Sequence, residues 1–95
     1  MRKGTTSTGF AYELDESRAD DMRLVEQLAV IEDDSTGSFA QILAAGKAVA
    51  MLLGEDGKKS LYDHIGTRHD GRVPTGDLFA ELEEILSGTD AEKNS

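Results

Sequence analysis

One long apolar run constrains the fold of this chain more than any other feature. It covers residues 39–53, FAQILAAGKAVAMLL, and only Gln41 and Lys47 interrupt it. A helix of this length spans about 22 Å at 1.5 Å per residue, which is shorter than the roughly 30 Å hydrocarbon core of a membrane. The run therefore predicts a buried central helix rather than a membrane span.

The predicted central helix has two apolar faces that differ in side-chain size. One face carries mostly large side chains: Phe39, Ile42, Leu43, Val49 and Leu53. We expect this face to serve the core. The opposite face carries mostly small side chains, and its candidate partner contacts are Ala40, Ala44, Ala48, Met51 and Leu52. We expect this second face to contact a partner protein or another copy, so Leu43→Glu should unfold the chain whereas Ala44→Glu should only weaken association.

Amphipathic segments on either side of the run predict the remaining elements. Phe10, Tyr12 and Leu14 alternate with Ala11, Glu13 and Asp15, which is the period-two pattern of a half-buried strand that needs a pairing partner. Three further helices are predicted over residues 17–31, 58–67 and 74–87. The expected fold class is therefore mainly α, with about four helices packed around the central helix at 39–53 and a small N-terminal β-strand or hairpin.

Composition also predicts how the chain is divided. Residues 1–8 are expected to be a flexible arm, residues 9–88 a single helical domain and residues 89–95 a disordered tail. Ser17 is predicted to cap the first helix, and Thr36 or Ser38 the central one, which Gly54 would end in a left-handed conformation.

The chain is strongly acidic, with a formal net charge of −9 over 95 residues. No basic stripe suited to phosphate is visible, so neither nucleic acid nor a membrane is expected as a partner. The first ten residues lack the apolar core of a signal peptide, and a cytosolic protein is the simplest interpretation. The acidic excess suits either solubility or attraction to a basic partner.

The sequence predicts no catalytic, cofactor-binding or metal-binding site. The residues of metal-ligand type that cluster are Asp63, His64, His69 and Asp70, but on a helix the two histidines would lie on different faces. Residues 66–77 have the spacing of a calcium-binding loop, yet Gly66 and Arg68 stand where that loop needs carboxylates. The chain also has no cysteine, and we expect a protein that is not an enzyme and has no cofactor.

Four segments give the chain the layout of a known family. They are GFAYELDESRADDMRLVEQLA at 9–29, LLGEDGKKSLYDHI at 52–65, DGRVPTGDLFAELEEIL at 70–86 and KNS at 93–95. In this layout the chain resembles the small tail assembly chaperones of siphophages and prophages of Gram-positive bacteria. The most specific pieces are residues 70–74 and 93–95, and neither is a catalytic motif.

The resemblance implies a role in phage tail morphogenesis. Such a chaperone coats the long, helical, aggregation-prone tape measure protein until subunits of the tail-tube protein replace it. The resemblance also implies that the chain acts in the cytoplasm of the bacterial host, is absent from the mature virion and is the short form where a programmed frameshift makes a longer one. The physical requirements are an exposed apolar face and enough charge to stay soluble while exposing it.

Two other classes of function remain open at this point. The chain could be an acidic regulator or inhibitor that binds a basic host or phage protein, for example by masking a nucleic-acid-binding surface. It could also be a small enzyme or metal-binding module. The partners expected under the leading hypothesis are the tape measure protein and the tail-tube protein, with a homo-oligomer as a further alternative.

Overall fold

Within the described part of the chain, two short strands precede four helices. In chain order these are β1 (Arg2–Thr5), β2 (Ala11–Leu14), α1 (Glu16–Ala19), α2 (Met22–Glu32), α3 (Ser38–Gly66) and α4 (Thr75–Asn94). The computed structural model describes residues 2–94, with side chains described for residues 3–87. The mainly α fold class with a small N-terminal hairpin is thereby confirmed, and the tail expected at 89–95 lies outside the described side chains.

The N-terminal strands form an antiparallel hairpin in which Thr5 pairs with Ala11 and Arg2 pairs with Leu14. Tyr12 and Leu14 point into the protein while their neighbours point outward, as the period-two pattern predicts. Residues 2–5, which the composition assigned to a flexible arm, are thus the pairing partner of β2. A lone strand would leave its backbone groups unpaired, and β1 satisfies them.

The helix predicted over residues 17–31 is divided into α1 and α2. Asp15, rather than Ser17, caps α1 and accepts a hydrogen bond from the backbone N–H of Ser17. Asp21 caps α2 by accepting from the backbone N–H of Arg23. The predicted continuous helix was wrong because the side chain of Asp21 competes for the backbone donors and starts a new helix there.

A corner at Gly54 divides α3 into a first arm, residues 38–53, and a second arm, residues 55–66. Gly54 has φ 79° and ψ 169°, a conformation that side chains with a Cβ rarely adopt. The second arm folds back on the first, since a Cβ placed at Gly46 would lie 3.1 Å from the hydroxyl of Tyr62. The predicted helix end at Gly54 is confirmed, whereas the start has Gly37 as its cap and no side-chain capping hydrogen bond from Thr36 or Ser38.

A tight turn leads from α3 to α4. Asp70 and Gly71 both have positive φ, at 58° and 87°, as the Asp-Gly pair predicts. Pro74 directly precedes α4, and its carbonyl oxygen accepts from the backbone N–H of Leu78. Val73 packs against the core.

The core lies where the hairpin, α2, both arms of α3 and α4 meet. Its fully buried side chains come from each of these elements and include Leu14, Leu24, Val49, Leu61, Ile65 and Ile85. No helix within residues 2–94 combines the length and apolar character needed to cross a membrane.

Candidate protein-interaction surface

The first arm of α3 buries the face that its sequence assigned to a partner. Ala44, Ala48 and Leu52 are all at most 2% exposed. Ala40 is exposed and Met51 is half-buried. The prediction that these five residues contact a partner is therefore wrong for the three buried ones, which belong to the core of the single chain.

The largest side chains at the start of the same arm lie outside. Phe39 is 74% exposed and Leu43 is 52% exposed, although both were predicted to serve the core. They are one helical turn apart and share a face. We call these two residues the α3 ridge.

Close packing of α2 explains why small side chains of the first arm are buried while the α3 ridge is exposed. Leu24 of α2 joins Ala45 and Ala48 of α3 in the hydrophobic core, and small side chains at a helix contact allow a short interaxial distance. The Gln41 side chain donates to the carbonyl oxygens of Ile31, at 3.0 Å, and Asp33, at 3.1 Å. These bonds tie the start of α3 to the end of α2 and leave the α3 ridge on the far side.

α2 has an exposed apolar stripe of its own. Met22 is 67% exposed and Val25 is 47% exposed, and the exposed Ala29 continues the same face four residues later. This stripe and the α3 ridge contain the four large hydrophobic side chains that are most exposed among the described residues. Isolated exposed apolar residues are ordinary, whereas clusters of them mark interaction surfaces.

A further apolar surface lies between α2 and α4. It is a groove of about 350 Å³ lined by Leu28, Ile31 and Glu32 of α2 and by Phe79, Leu82, Glu83 and Leu86 of α4. We call it the α2–α4 groove. Four of its five apolar side chains are half-buried, and only Leu82 is fully buried. The two helices therefore leave a cleft open between them.

The sequence of α4 contains a signal for this groove. The apolar stripe of α4 is wide, and it divides into two halves. Leu78, Leu82 and Ile85 are at most 5% exposed and face the core. Phe79 and Leu86 lie on the edge of the stripe and are only half-buried. An apolar stripe of this width allows a helix to pack against two neighbouring elements at once.

Negatively charged side chains lie at both ends of α2. Hydrogen bonds from the Arg23 side chain and backbone hold the pKa of Asp21 below its ordinary value. The hydroxyl and backbone N–H of Ser35 lower the pKa of Asp33 in the same way. Asp21 precedes α2 and Asp33 follows it, so both ends of this helix keep their negative charge well below neutral pH.

A polar cluster joins the turn of the hairpin to α3 and α4. The buried Glu81 carboxylate, 2% exposed, accepts hydrogen bonds from the hydroxyls of Thr6 and Thr8, each at 2.9 Å. The Thr8 hydroxyl also lies 3.1 Å from Nε2 of His64. Ser7 donates from its backbone N–H and its hydroxyl to Glu84. The cluster anchors the hairpin to the helices.

The geometry of this cluster does not match a nucleophilic triad. In such a triad the acid orients the histidine ring, which in turn accepts the hydroxyl proton. Here Glu81 accepts from Thr8 itself, and the ring of His64 packs beside Phe10 with the ring centroids 5.5 Å apart. The arrangement satisfies a buried carboxylate, which would otherwise be costly to bury.

The two histidines contact different partners. Nε2 of His69 lies 2.6 Å from Oδ2 of Asp77, which ties the turn after α3 to the first turn of α4. His64 instead contacts the hairpin. Among the described side chains, no group of three or more His, Cys, Asp or Glu residues is arranged to hold a metal ion.

Comparisons with known proteins add no assignment to these surfaces. Neither the protein-family models, nor the curated proteins, nor the solved structures include one that matches this chain.

Proposed function

We propose that this chain is a tail assembly chaperone that binds and solubilises the tape measure protein during phage tail morphogenesis. The observation that carries the proposal is the α3 ridge: two large apolar side chains, 74% and 52% exposed, on a chain with a net charge of −9. Exposed apolar groups can hold an aggregation-prone client, while the net charge keeps the chaperone itself soluble.

The proposal also draws on the resemblance of residues 9–95 to the family of small tail assembly chaperones. In this function the chain acts in the cytoplasm of the bacterial host by protein–protein contact. It is displaced as the tail-tube protein assembles on the tape measure protein, and so it is absent from the mature virion. Contacts that must be exchanged need only modest apolar area, and exposed side chains on one helical turn meet that requirement.

Co-expression with the tape measure protein encoded by the same phage or prophage tests the proposal. The wild-type chain is expected to keep the tape measure protein soluble and to co-purify with it. The double variant Phe39→Ser/Leu43→Ser is expected to lose this effect while keeping its melting temperature, because both side chains are already exposed.

A matched control is the double variant Glu55→Ser/Lys59→Ser, which changes two exposed polar side chains of the second arm. It should behave as the wild type does. The proposal fails if the tape measure protein precipitates equally with and without the wild-type chain. The assignment to the ridge fails if the ridge variant and the control retain the same solubilising effect.

A further inference from the structure

The α2–α4 groove has walls that suit one kind of occupant. Its described lining consists of side chains from two helices, and no free strand edge is part of that lining. An extended peptide lying in it would leave backbone N–H and C=O groups unpaired against apolar side chains, which is costly. A helix satisfies its own backbone groups and can lay an apolar stripe between two others.

The charged residues of the groove indicate which charge the bound helix should carry beside its apolar stripe. Glu32 lies on the α2 wall and Glu83 on the α4 wall, and both are exposed. Among the described side chains that line the groove, none is a lysine or an arginine. Acidic groups on both walls attract basic residues on both sides of an apolar stripe and repel acidic ones.

We propose that the α2–α4 groove binds an amphipathic helix whose apolar stripe is flanked on both sides by lysine or arginine. The apolar positions, spaced i, i+3, i+4 and i+7, pack on Leu28, Ile31, Phe79 and Leu86, and the flanking cations pair with Glu32 and Glu83. Under the proposed function, the natural occupant would be a helical segment of the tape measure protein. This identification rests on the proposed function, whereas the binding of such a helix does not.

Three synthetic helical peptides test the groove directly. All three carry one tryptophan, and the chain has none, so tryptophan fluorescence reports on the peptide alone. The first has the apolar stripe with flanking lysines, the second has the same stripe with flanking glutamates, and the third scrambles the lysine peptide so that the stripe is lost. The wild-type chain is expected to bind the lysine peptide about tenfold or more tightly than either of the others.

Reversing the groove charges provides the decisive variant. Glu32→Lys/Glu83→Lys is expected to invert the preference, so that the glutamate peptide binds about tenfold more tightly than the lysine peptide. The matched control Glu26→Lys/Glu55→Lys also changes two exposed residues. Each Glu→Lys adds two charges, so both double variants change the net charge from −9 to −5. The control is expected to keep the wild-type preference.

Several results would overturn the inference. Equal binding of the scrambled and lysine peptides would show unspecific charge attraction without a groove. If the groove variant and its control change the peptide preference equally, the preference depends on net charge and not on the groove. A dimer in sedimentation that the groove variant abolishes, with no peptide binding by the wild type, would show that a second copy occupies the groove.

The experiment also separates this inference from the proposed function. If the peptides discriminate as expected but the tape measure protein is not kept soluble, the groove is supported and the chaperone role fails. If the tape measure protein is kept soluble by the wild type and equally by an α2–α4 groove variant to which no peptide binds selectively, the chaperone role is supported and the groove fails.

Discussion

Within the first arm of α3, two alanines and the two residues of the α3 ridge differ in burial. Ala45 and Ala48 are 0% exposed, while Phe39 and Leu43 are 74% and 52% exposed. A scale of hydrophobicity alone would place the four residues the other way round. The difference shows that burial depends on which face another helix can approach, because small side chains permit an approach that large ones prevent.

Contacts with neighbouring elements at both ends of the first arm determine which side of it is buried. Gln41 fixes its start to the end of α2 through two carbonyl oxygens. At the other end the corner at Gly54 returns the second arm across Gly46. The α3 ridge lies on the side of the arm that faces away from both contacts, so its side chains stay exposed.

The largest expected effect comes from placing a charge on the buried face. Ala48→Glu should destabilise the fold by about 3 kcal/mol or more, since it buries an unpaired carboxylate and overpacks a filled site. A domain of this size has a total stability of roughly 5–10 kcal/mol. Thermal melting followed by circular dichroism should show loss of most or all of the cooperative transition.

Leu43→Glu is the matched control on the exposed face. It should change the unfolding free energy by no more than about 0.5 kcal/mol, as surface substitutions usually do. The sequence by itself predicted that this substitution would unfold the chain. Comparable destabilisation by both variants would contradict the arrangement of the two faces.

A smaller effect is expected from the corner that decides which face is covered. Gly54→Ala should cost about 1–3 kcal/mol, because φ 79° with ψ 169° is strained for any residue with a Cβ. Urea unfolding would measure the change through a lower midpoint with an unchanged slope.

Gly76→Ala serves as the comparison for the corner. Gly76 lies in the first turn of α4 with negative φ and nothing within 4 Å of an added Cβ. This substitution should stabilise the helix by about 0.5 kcal/mol through its higher helix propensity. A neutral result for Gly54→Ala would mean that the corner does not hold the arms in place.

The smallest expected effect concerns the cap of α2. This helix packs on Ala45 and Ala48 of α3, which we call the alanine face. Asp21→Ala should lower the melting temperature at neutral pH, because it removes the acceptor for the backbone N–H of Arg23. The folded state lowers the pKa of Asp21, so its contribution is present above the ordinary aspartate pKa. It is lost as the pH falls through the lowered value.

Melting curves of the wild type and Asp21→Ala over a pH series would measure this contribution. The difference between the two should shrink as the pH falls into the range in which Asp21 becomes protonated. Asp34→Ala, which removes an exposed carboxylate from the loop before α3, should show a smaller difference at neutral pH. A difference for Asp21→Ala that stays constant down to acidic pH would contradict the capping role.

Local patterns in the sequence determined most of the secondary structure. The alternation through Tyr12 and Leu14 predicted β2, because its period matches the pleat. Gly54 and the Asp70-Gly71 pair predicted the breaks around the second arm, since few other residues tolerate positive φ. The division of the first helix at Asp21 was not foreseen, as capping and helix-interior positions for aspartate differ by small energies.

Only the tertiary structure decided which apolar surfaces are inside. A helical wheel shows that the first arm has two apolar faces and that α4 has a wide stripe, but it does not show where the neighbouring helices lie. Packing of α2 on the alanine face turned Phe39 and Leu43 outward, and the same helix left Phe79 and Leu86 lining an open groove. Hydrophobicity is a property of each side chain, whereas burial is a property of the whole arrangement, because it depends on how closely the backbones can approach.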